Sequence, residues 1–418
     1  MMQPQTNPGD LLDAPRTDIR PEYFLHKRMF AAVFCGFILL YSIVQLWYSG
    51  AKSLWQGGWS GWVQSSYGSH LFGYTFWKES NGLLHRALQK NELNDFTFVR
   101  DRMGVLHYAL IYREHNGDQP TRYAKSIKWM RDSYQRNGTK VYYANIPSRY
   151  QPSELNRYFA GIPYQDNHVL QEDLQLALEQ FDVPIIDIER ALRQEGYPYD
   201  GWFYRTDLHW RTESALFAAE QIANTLRKDG VSLAALPLYS FESHSAGMLG
   251  TEGIMAGRQY AGLDDFIWIL PKDDSRYHWS AQKQNGETFE QSGGTTIFLQ
   301  PVQSEERSEY VNQYASYLGG SMAWQRVVNQ DQPNAPRLLL IGDTFCNPLL
   351  AYLAPVCSQI DQINPLAGDK SVEEQLKAQS YDAIVVLYYP GNLSDAAFSF
   401  FQEKPLNLPR AKKAENSS

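Results

Sequence analysis

The sequence predicts an α/β protein in which a parallel sheet is covered by helices on both faces, with an antiparallel β-rich excursion and one transmembrane helix ahead of the domain. Two observations predict the sheet: continuous apolar strands, as in sheets buried on both faces, and helical patterns between those strands. A third observation, an uncharged run near the N-terminus, predicts the membrane helix. The hydrophobic content of 43% is sufficient for a sizeable core.

The predicted anchor occupies residues 29–49. No charged residue lies between Met29 and Ala51, and a helix rising about 1.5 Å per residue crosses a hydrocarbon layer of about 30 Å over such a length. Only Lys52 follows closely, whereas four basic residues precede the run: Arg16, Arg20, Lys27 and Arg28. Because positive charge is retained in the cytoplasm, residues 1–28 are predicted to be a cytoplasmic tail and the rest of the chain to lie outside.

A cleaved signal peptide is the alternative, because small residues stand at a suitable spacing in Ser49-Gly50-Ala51. The long charged leader and the full-length apolar run favour a retained anchor. We therefore expect a juxtamembrane segment at 50–71, one extracytoplasmic domain at 72–409 and a polar tail at 410–418.

The charge of the chain argues against nucleic acid as a partner. The N-terminal tail has four acidic residues to balance its four basic ones, so the formal net charge of −8 belongs to the region outside the membrane. A net-acidic domain lacks the basic surface that nucleic acid binding requires. The three cysteines form no disulfide framework: Cys35 lies in the predicted span, and Cys346 and Cys357 would be about 16 Å apart if the segment between them is helical, so we expect them to be unpaired.

The first half of the domain alternates between helices and strands. The patterns predict, in order, a helix at Tyr123–Arg136, a strand at Lys140–Ile146, a helix at Leu170–Phe181, a strand at Val183–Ile188 and a short helix at Glu189–Gln194. A further helix is expected to begin with Thr212 as its N-cap and to end at Gly230. One face of that helix is apolar: Ala215, Ala219, Ile222 and Leu226.

The excursion occupies residues 230–330. This region is richer in Gly, Ser and aromatic residues, and its short apolar runs, Asp265–Leu270 and Thr295–Leu299, suggest antiparallel strands. The α/β pattern resumes with strands at Arg337–Ile341 and Ala383–Tyr389, and a helix is expected near Leu349.

Two short segments carry chemistry. Asp207 stands two residues before His209, a spacing that allows a carboxylate to fix the tautomer of an imidazole. Gly342-Asp343-Thr344 ends a buried strand in a turn that presents a hydroxyl and backbone N–H groups, as a hydroxyl nucleophile requires. The non-catalytic alternatives are a helix cap at Asp343 and Thr344, and a structural histidine beside Trp210.

A metal or cofactor site is not indicated. The other histidines lack ligand spacing, being scattered along the chain at His85, His107, His168 and His244 among other positions. The sequence therefore predicts chemistry carried by side chains alone, with no metal and no cofactor.

The segment Tyr204–Trp210 resembles the Asp-His-His-Trp signature of the DHHW family of surface proteins, with Leu208 at the position of the first histidine. These proteins are similar to the SGNH-hydrolase-like domains that act in O-acetylation of alginate and other exported polysaccharides. The resemblance extends through Tyr317–Gly320 and Gly342–Pro348 to the closing strand with Tyr381-Asp382, and covers most of the chain from about residue 72 to 401.

The resemblance implies a flavodoxin-like sheet with Thr344 as nucleophile, His209 as base and Asp207 as the group that orients it. Residues of the same segments are candidates for oxyanion or substrate binding: Gly320, Asn347, Trp210 and Arg205. The family pattern has Gly-Asp-Ser where this chain has Thr344, whose additional methyl restricts χ1 and crowds the attacking oxygen.

The leading hypothesis is a single-pass protein of the bacterial cell membrane whose outer domain transfers or removes acyl groups, most often acetyl, on an exported cell-surface polysaccharide. The resemblance further implies a membrane-bound O-acyltransferase partner that passes the acyl group across the membrane. The alternative is a non-catalytic polysaccharide-binding or assembly-scaffold protein with a degenerate site.

Overall fold

The computed structural model describes residues 29–44, 73–108, 117–135, 138–162, 164, 167–301, 311–368 and 372–399. The chain divides into two compact units, residues 1–78 and 79–418. Residues 29–44 form helix α1.

The predicted anchor at 29–49 continues past the described residues, and the predicted segments 1–28, 50–71 and 410–418 lie wholly outside them. Within the described ranges, no helix combines the length and the apolar character needed to cross a membrane. The transmembrane helix stays a prediction.

The elements that follow α1 alternate largely as expected. The helices are α2 (Tyr74–Ala87), α3 (Gln119–Tyr134), α4 (His168–Gln180), α5 (Ile188–Gln194), α6 (Thr212–Lys228), α7 (Thr251–Ala256), α8 (Arg258–Ala261), α9 (Cys346–Leu353) and α10 (Val372–Ala378). The strands are β1 (Glu92–Leu93), β2 (Phe98–Arg100), β3 (Leu106–Tyr108), β4 (Lys140–Asn145), β5 (Ile185–Asp187), β6 (Tyr239–Met248), β7 (Asp264–Pro271), β8 (Tyr277–Gln282), β9 (Thr288–Gly293), β10 (Trp324–Asn329), β11 (Arg337–Gly342), β12 (Gln359–Ile363) and β13 (Ala383–Leu387).

Five strands form the predicted parallel layer, in the order β5-β4-β13-β11-β12. Successive residues of β11 face opposite cores: Leu338 and Leu340 pack with α6 and α9, whereas Leu339 and Ile341 pack with α3, α4 and α10. The helices therefore cover both faces, as the sequence predicts, and the carboxyl ends of all five strands meet at one edge.

The excursion does not form a separate layer. Its strands β10, β8 and β9 continue the central sheet beyond β12 in antiparallel pairs, so the sheet is mixed rather than purely parallel. Strands β6 and β7 of the excursion pair with each other in a separate two-stranded antiparallel sheet, with α7 and α8 between them in the chain. The strand suggested by Thr295–Leu299 is wrong: Thr295–Phe298 is a 3-10 turn, whose apolar Ile297 and Phe298 are nevertheless buried.

The helix that follows the His209 segment differs at its start. Arg211 holds the N-cap position, so the prediction of Thr212 as the cap is wrong. The Thr212 hydroxyl instead donates to the Ile267 carbonyl at 2.7 Å, because Thr212 is buried against β7. The predicted apolar face of α6 is confirmed, and the chain reverses at Gly230, whose φ of +91° suits glycine.

Candidate active site

The Thr344 turn is fixed by the residue before it. Asp343 is buried, and one of its carboxylate oxygens accepts the Phe345 N–H at 3.0 Å. The other oxygen accepts the Tyr389 N–H at 2.9 Å and the Asn392 amide at 2.8 Å, which ties the end of β11 to the end of β13. Burial raises the pKa of Asp343 despite these donors.

Gly342 allows the strands to approach closely at this turn. A Cβ at this position would lie 2.1 Å from the Leu387 carbonyl oxygen and 2.8 Å from the Cys346 sulfur. Helix α9 begins at Cys346, earlier than the expected start near Leu349, and its N-cap residue is Phe345. Thr344 is therefore not the cap of that helix, and its hydroxyl has a different partner.

That partner is His209. The Thr344 Oγ1 lies 2.6 Å from His209 Nε2, and His209 Nδ1 lies 2.5 Å from Asp207 Oδ1. With Asp207 ionised, Nδ1 carries the ring proton and donates a hydrogen bond to the carboxylate, which leaves Nε2 as the acceptor for the threonine hydroxyl. The structure thus brings together the three residues that the sequence proposes as catalytic, across 135 residues of chain.

The Asp207 carboxylate is fully buried and has four donors. Besides the imidazole, it accepts the His209 N–H at 3.0 Å, the Thr251 N–H at 2.7 Å and the Asn312 amide at 2.6 Å. Burial alone would raise the pKa of Asp207, but the electrostatic interaction with His209 and these hydrogen bonds outweigh burial and hold the pKa well below its usual range. Asp207 is thus kept ionised, as an orienting carboxylate must be.

Aromatic side chains hold the imidazole ring in place. Tyr314 stacks on His209 with ring centroids 4.1 Å apart and planes 18° from parallel, and Phe345 contacts the ring from a centroid distance of 4.9 Å. The Trp210 indole donates to the Tyr314 hydroxyl at 3.1 Å. The histidine therefore has a single orientation, with Nε2 aimed at Thr344.

A cavity of about 610 Å³ opens in front of Thr344. Its lining comes from three carboxyl strand ends and from the turn between β8 and β9, and most of the lining residues are polar or charged. The lining residues are Lys283, Gln284, Asn285, Ser321, Asp343, Thr344, Asn364, Leu366, Ala367 and Asn392.

The four residues proposed for oxyanion or substrate binding do not line this cavity. Trp210 is buried behind the imidazole. Arg205 pairs with Asp264 at 3.3 Å and is not among the lining residues. Asn347 is also buried, and its amide donates to the Gly320 carbonyl at 2.7 Å, so these two residues hold the turn before Ser321 against α9.

Sequence reasoning did not identify Asn312 and Tyr314, which support the Asp207–His209 pair, or Asn364 and Asn392, which face the cavity. Asn312 caps a short 3-10 turn that contains Tyr314, and this turn lies more than 100 residues along the chain from Asp207 and His209. Asn364 and Asn392 follow the strands on either side of β11. Because the carboxyl ends of parallel strands lie at one edge of the sheet, Asn364 and Asn392 could have been predicted to lie near Thr344 once their strands were recognised.

The comparisons with known proteins agree with this architecture. Residues 106–299 match the family model for the SGNH hydrolase-like domain of acetyltransferase AlgX. That stretch includes Asp207 and His209, while the Thr344 turn follows it in the chain. No curated protein sequence matches the chain.

Solved structures resemble this chain to different degrees, and the comparison of fold rests on PatB1 of Bacillus cereus. PatB1 of Bacillus cereus with a sulfonyl adduct is 16% identical, with a TM-score of 0.59, covering 73% of this chain and 97% of PatB1. A DHHW family protein of Eubacterium siraeum is 14% identical over 69% of this chain and 89% of its own, with a TM-score of 0.49. The O-acetyltransferase domain of Pseudomonas putida AlgJ is 12% identical over 71% and 91%, with a TM-score of 0.43.

The fold and the family match define an SGNH hydrolase-like α/β domain with a mixed sheet. The resemblance to SGNH-hydrolase-like domains of the alginate O-acetylation type, first recognised from the Asp207–His209 segment, is confirmed over residues 106–299 by the family match.

Proposed function

We propose that the protein is an SGNH-type O-acyltransferase or esterase that acts on acyl groups, above all acetyl, of an exported cell-surface polysaccharide. The observation that carries the proposal is the hydrogen-bonded series Asp207–His209–Thr344, which ends at a polar cavity. The match to the AlgX acetyltransferase domain supports the reaction class.

The geometry supports a two-step acyl transfer. The Thr344 hydroxyl loses its proton to His209 Nε2 as its oxygen attacks the carbonyl carbon of the acyl donor, and His209 returns that proton to the departing donor oxygen. A sugar hydroxyl, or water in the esterase reaction, then gives its proton to His209 and attacks the acyl-threonine, and the proton passes back to Thr344 as the ester bond breaks. Asp207 stabilises the imidazolium in both steps.

The carbonyl oxygen that becomes negative needs hydrogen-bond donors. The Thr344 N–H donates to no acceptor in the described part of the chain, so it is available at the reacting atom. The amide of Asn364, which faces the same cavity, is a second candidate donor. Leu366 and Ala367 are the apolar side chains of the described lining, which favours a short acyl group and a hydroxyl-rich acceptor.

Turnover of a chromogenic acetyl ester tests the proposal. Thr344→Ala and His209→Ala should each remove nearly all activity, while Thr225→Ala and His244→Ala, which change the same residue types away from the cavity, should retain it. Full activity in Thr344→Ala would overturn the nucleophile assignment.

The proposal includes a membrane anchor at residues 29–49, supported by the uncharged run and its basic flank. A membrane-bound O-acyltransferase partner would supply the acyl group at the outer face. Protease added to intact cells should digest the domain and spare residues 1–28. A soluble mature protein that begins near Lys52 would instead establish the signal-peptide alternative.

A binding or scaffold protein is the second candidate, and Thr344 is the observation that favours it. The methyl group of a β-branched nucleophile restricts its rotation and crowds the attacking oxygen. If wild-type protein binds polysaccharide without turnover, and His209→Ala binds equally well, the scaffold function replaces the enzymatic one.

A further inference from the structure

A second cavity opens at the same edge of the central sheet as the Thr344 cavity. Its volume is about 220 Å³, and its lining includes Asn145 at the end of β4 and Asp187 at the end of β5. Strand β4 is separated from β11 by β13 alone, and all of these strands are parallel. Two inter-strand steps of about 4.8 Å each therefore separate the end of β4 from the end of the strand that carries Thr344.

The floor of this second cavity is built from buried amides that fix one another. Gln171 donates to the Asn145 side-chain oxygen and to the Ile146 carbonyl, each at 2.6 Å. Asn145 in turn donates to the Asp187 carboxylate at 3.1 Å, and the same carboxylate oxygen caps α5 by accepting the Arg190 N–H. The floor is thus preorganised, with its polar groups held by each other and not by solvent.

The rim offers unused hydrogen-bonding groups. Glu172 and Gln175 lie one turn apart on α4, both line the cavity, and neither side chain has a hydrogen-bond partner within the described residues. Arg190 and Arg193 line it from α5. The rim therefore brings carboxylate, amide and guanidinium groups close together, and these groups include both hydrogen-bond donors and hydrogen-bond acceptors.

We propose that this cavity is a subsite for one sugar residue of the polymer that is modified at Thr344. The inference rests on the proposed function. Sugar hydroxyls both donate and accept, which matches a wall of mixed amides, carboxylates and guanidinium groups. A strongly charged ligand such as phosphate would meet the carboxylates of Glu172, Asp187 and Glu189.

The position of the subsite has a kinetic consequence. The strand ends under the two cavities are separated by two inter-strand steps of about 4.8 Å each, which together exceed the width of one sugar ring, so only an oligosaccharide reaches both. Acceptor efficiency should therefore rise with chain length, and the increase should depend on α4.

The test uses the full-length protein in detergent, with two double variants on the same helix. Glu172→Ala/Gln175→Ala removes the unused groups of the rim. Glu179→Ala/Gln180→Ala removes the same residue types from the exposed end of α4, which does not line the cavity. The probes are β-1,4-linked oligomers of glucose, mannose and N-acetylglucosamine, from monomer to hexamer, with p-nitrophenyl acetate as acyl donor.

For wild type and the Glu179/Gln180 variant, we expect kcat/KM for the acceptor to increase from monomer to hexamer. The Glu172/Gln175 variant should lose roughly tenfold on the hexamer, the effect of one or two hydrogen bonds, and should match wild type on the monomer and in hydrolysis of p-nitrophenyl acetate. An unchanged length dependence in that variant, or no oligomer accepted while hydrolysis is intact, would overturn the subsite.

Failure of the proposed function is separable from failure of the subsite. If p-nitrophenyl acetate is not hydrolysed, affinity for the same oligomers is measured by calorimetry. Weaker hexamer binding by the Glu172/Gln175 variant alone would then support the subsite in a binding protein, and equal binding by both variants would refute it.

Discussion

At the scale of single residues, the nucleophile position is the most informative one. Thr344 keeps the hydroxyl at 2.6 Å from His209 Nε2, so the proton path exists with threonine as with serine. We expect Thr344→Ser to keep or raise esterase activity, because serine preserves the hydroxyl and removes the methyl that crowds it. Initial rates on a chromogenic acetyl ester check this, with Thr225→Ser as the control. Activity well below wild type would mean that the methyl positions the hydroxyl.

The Asp207 carboxylate should link stability to pH. Its pKa is depressed in the folded protein, so its contribution to stability is present above the unfolded value of about 4 and is lost as the pH falls through the lower folded value. Asp207→Asn should lower the free energy of unfolding by roughly 3 kcal/mol at neutral pH.

The difference in the free energy of unfolding between wild type and Asp207→Asn should shrink as the pH falls below about 4. In this range Asp207 is protonated in the unfolded chain before it is protonated in the folded one. Urea titrations of both proteins between neutral pH and the acid limit of folding measure it. A difference that stays constant with pH would show that Asp207 is not ionised in the native state. The activity of Asp207→Asn should also fall, though less than that of His209→Ala, because the carboxylate orients the base and does not replace it.

The core of this site could be proposed from the sequence because its parts are local. Asp207 orients His209 from two residues away, and Thr344 directly follows an apolar strand, so each piece is visible in a short window. Asn312 and Tyr314 could not be found in that way. They reach the pair through the tertiary fold from a loop whose composition resembles any polar connection.

At the scale of elements, the apolar strands were predictable and a polar one was not. Strand β12 is buried along its whole length, yet three of its five residues are polar: Gln359, Asp361 and Gln362. Asp361 pairs with Arg326 on β10 at 2.8 Å and accepts the Tyr381 hydroxyl at 2.5 Å. A hydropathy pattern treats such residues as exposed, because it does not include partners that other strands supply.

The approach of β11 to β13 gives a prediction for Gly342. Gly342→Ala would place a methyl 2.1 Å from the Leu387 carbonyl, so the two strands must separate. We expect a loss of roughly 1–3 kcal/mol in the free energy of unfolding, and reduced esterase activity because Thr344 moves with the turn. Chemical denaturation and the ester assay measure the two effects. The control is Gly294→Ala, since Gly294 has open space around it, and equal stability of both variants would contradict the close contact.

At the scale of the whole domain, the parallel and antiparallel parts of the sheet share one core. Trp279 and Val327 from the antiparallel strands lie in the same buried cluster as Leu340 and Val385 from the parallel ones. The sequence separated these regions because their compositions differ. Packing across the sheet joins them, since β10 pairs directly with β12.

This shared core makes the two buried cysteines reporters of unfolding. Cys346 and Cys357 are both unpaired, as the sequence predicts, and both are fully buried in that cluster. In a Cys35→Ser background, we expect neither thiol to react with iodoacetamide in the native protein, and both to react without reductant at the same denaturant concentration. Mass spectrometry of each peptide across a urea series measures the urea concentration at which each cysteine is half modified.

These two urea midpoints should coincide, because both thiols lie in one cooperative core. Modification of one thiol at clearly lower urea would show that its part of the sheet opens separately, and a peptide linked through both sulfurs would contradict the unpaired state.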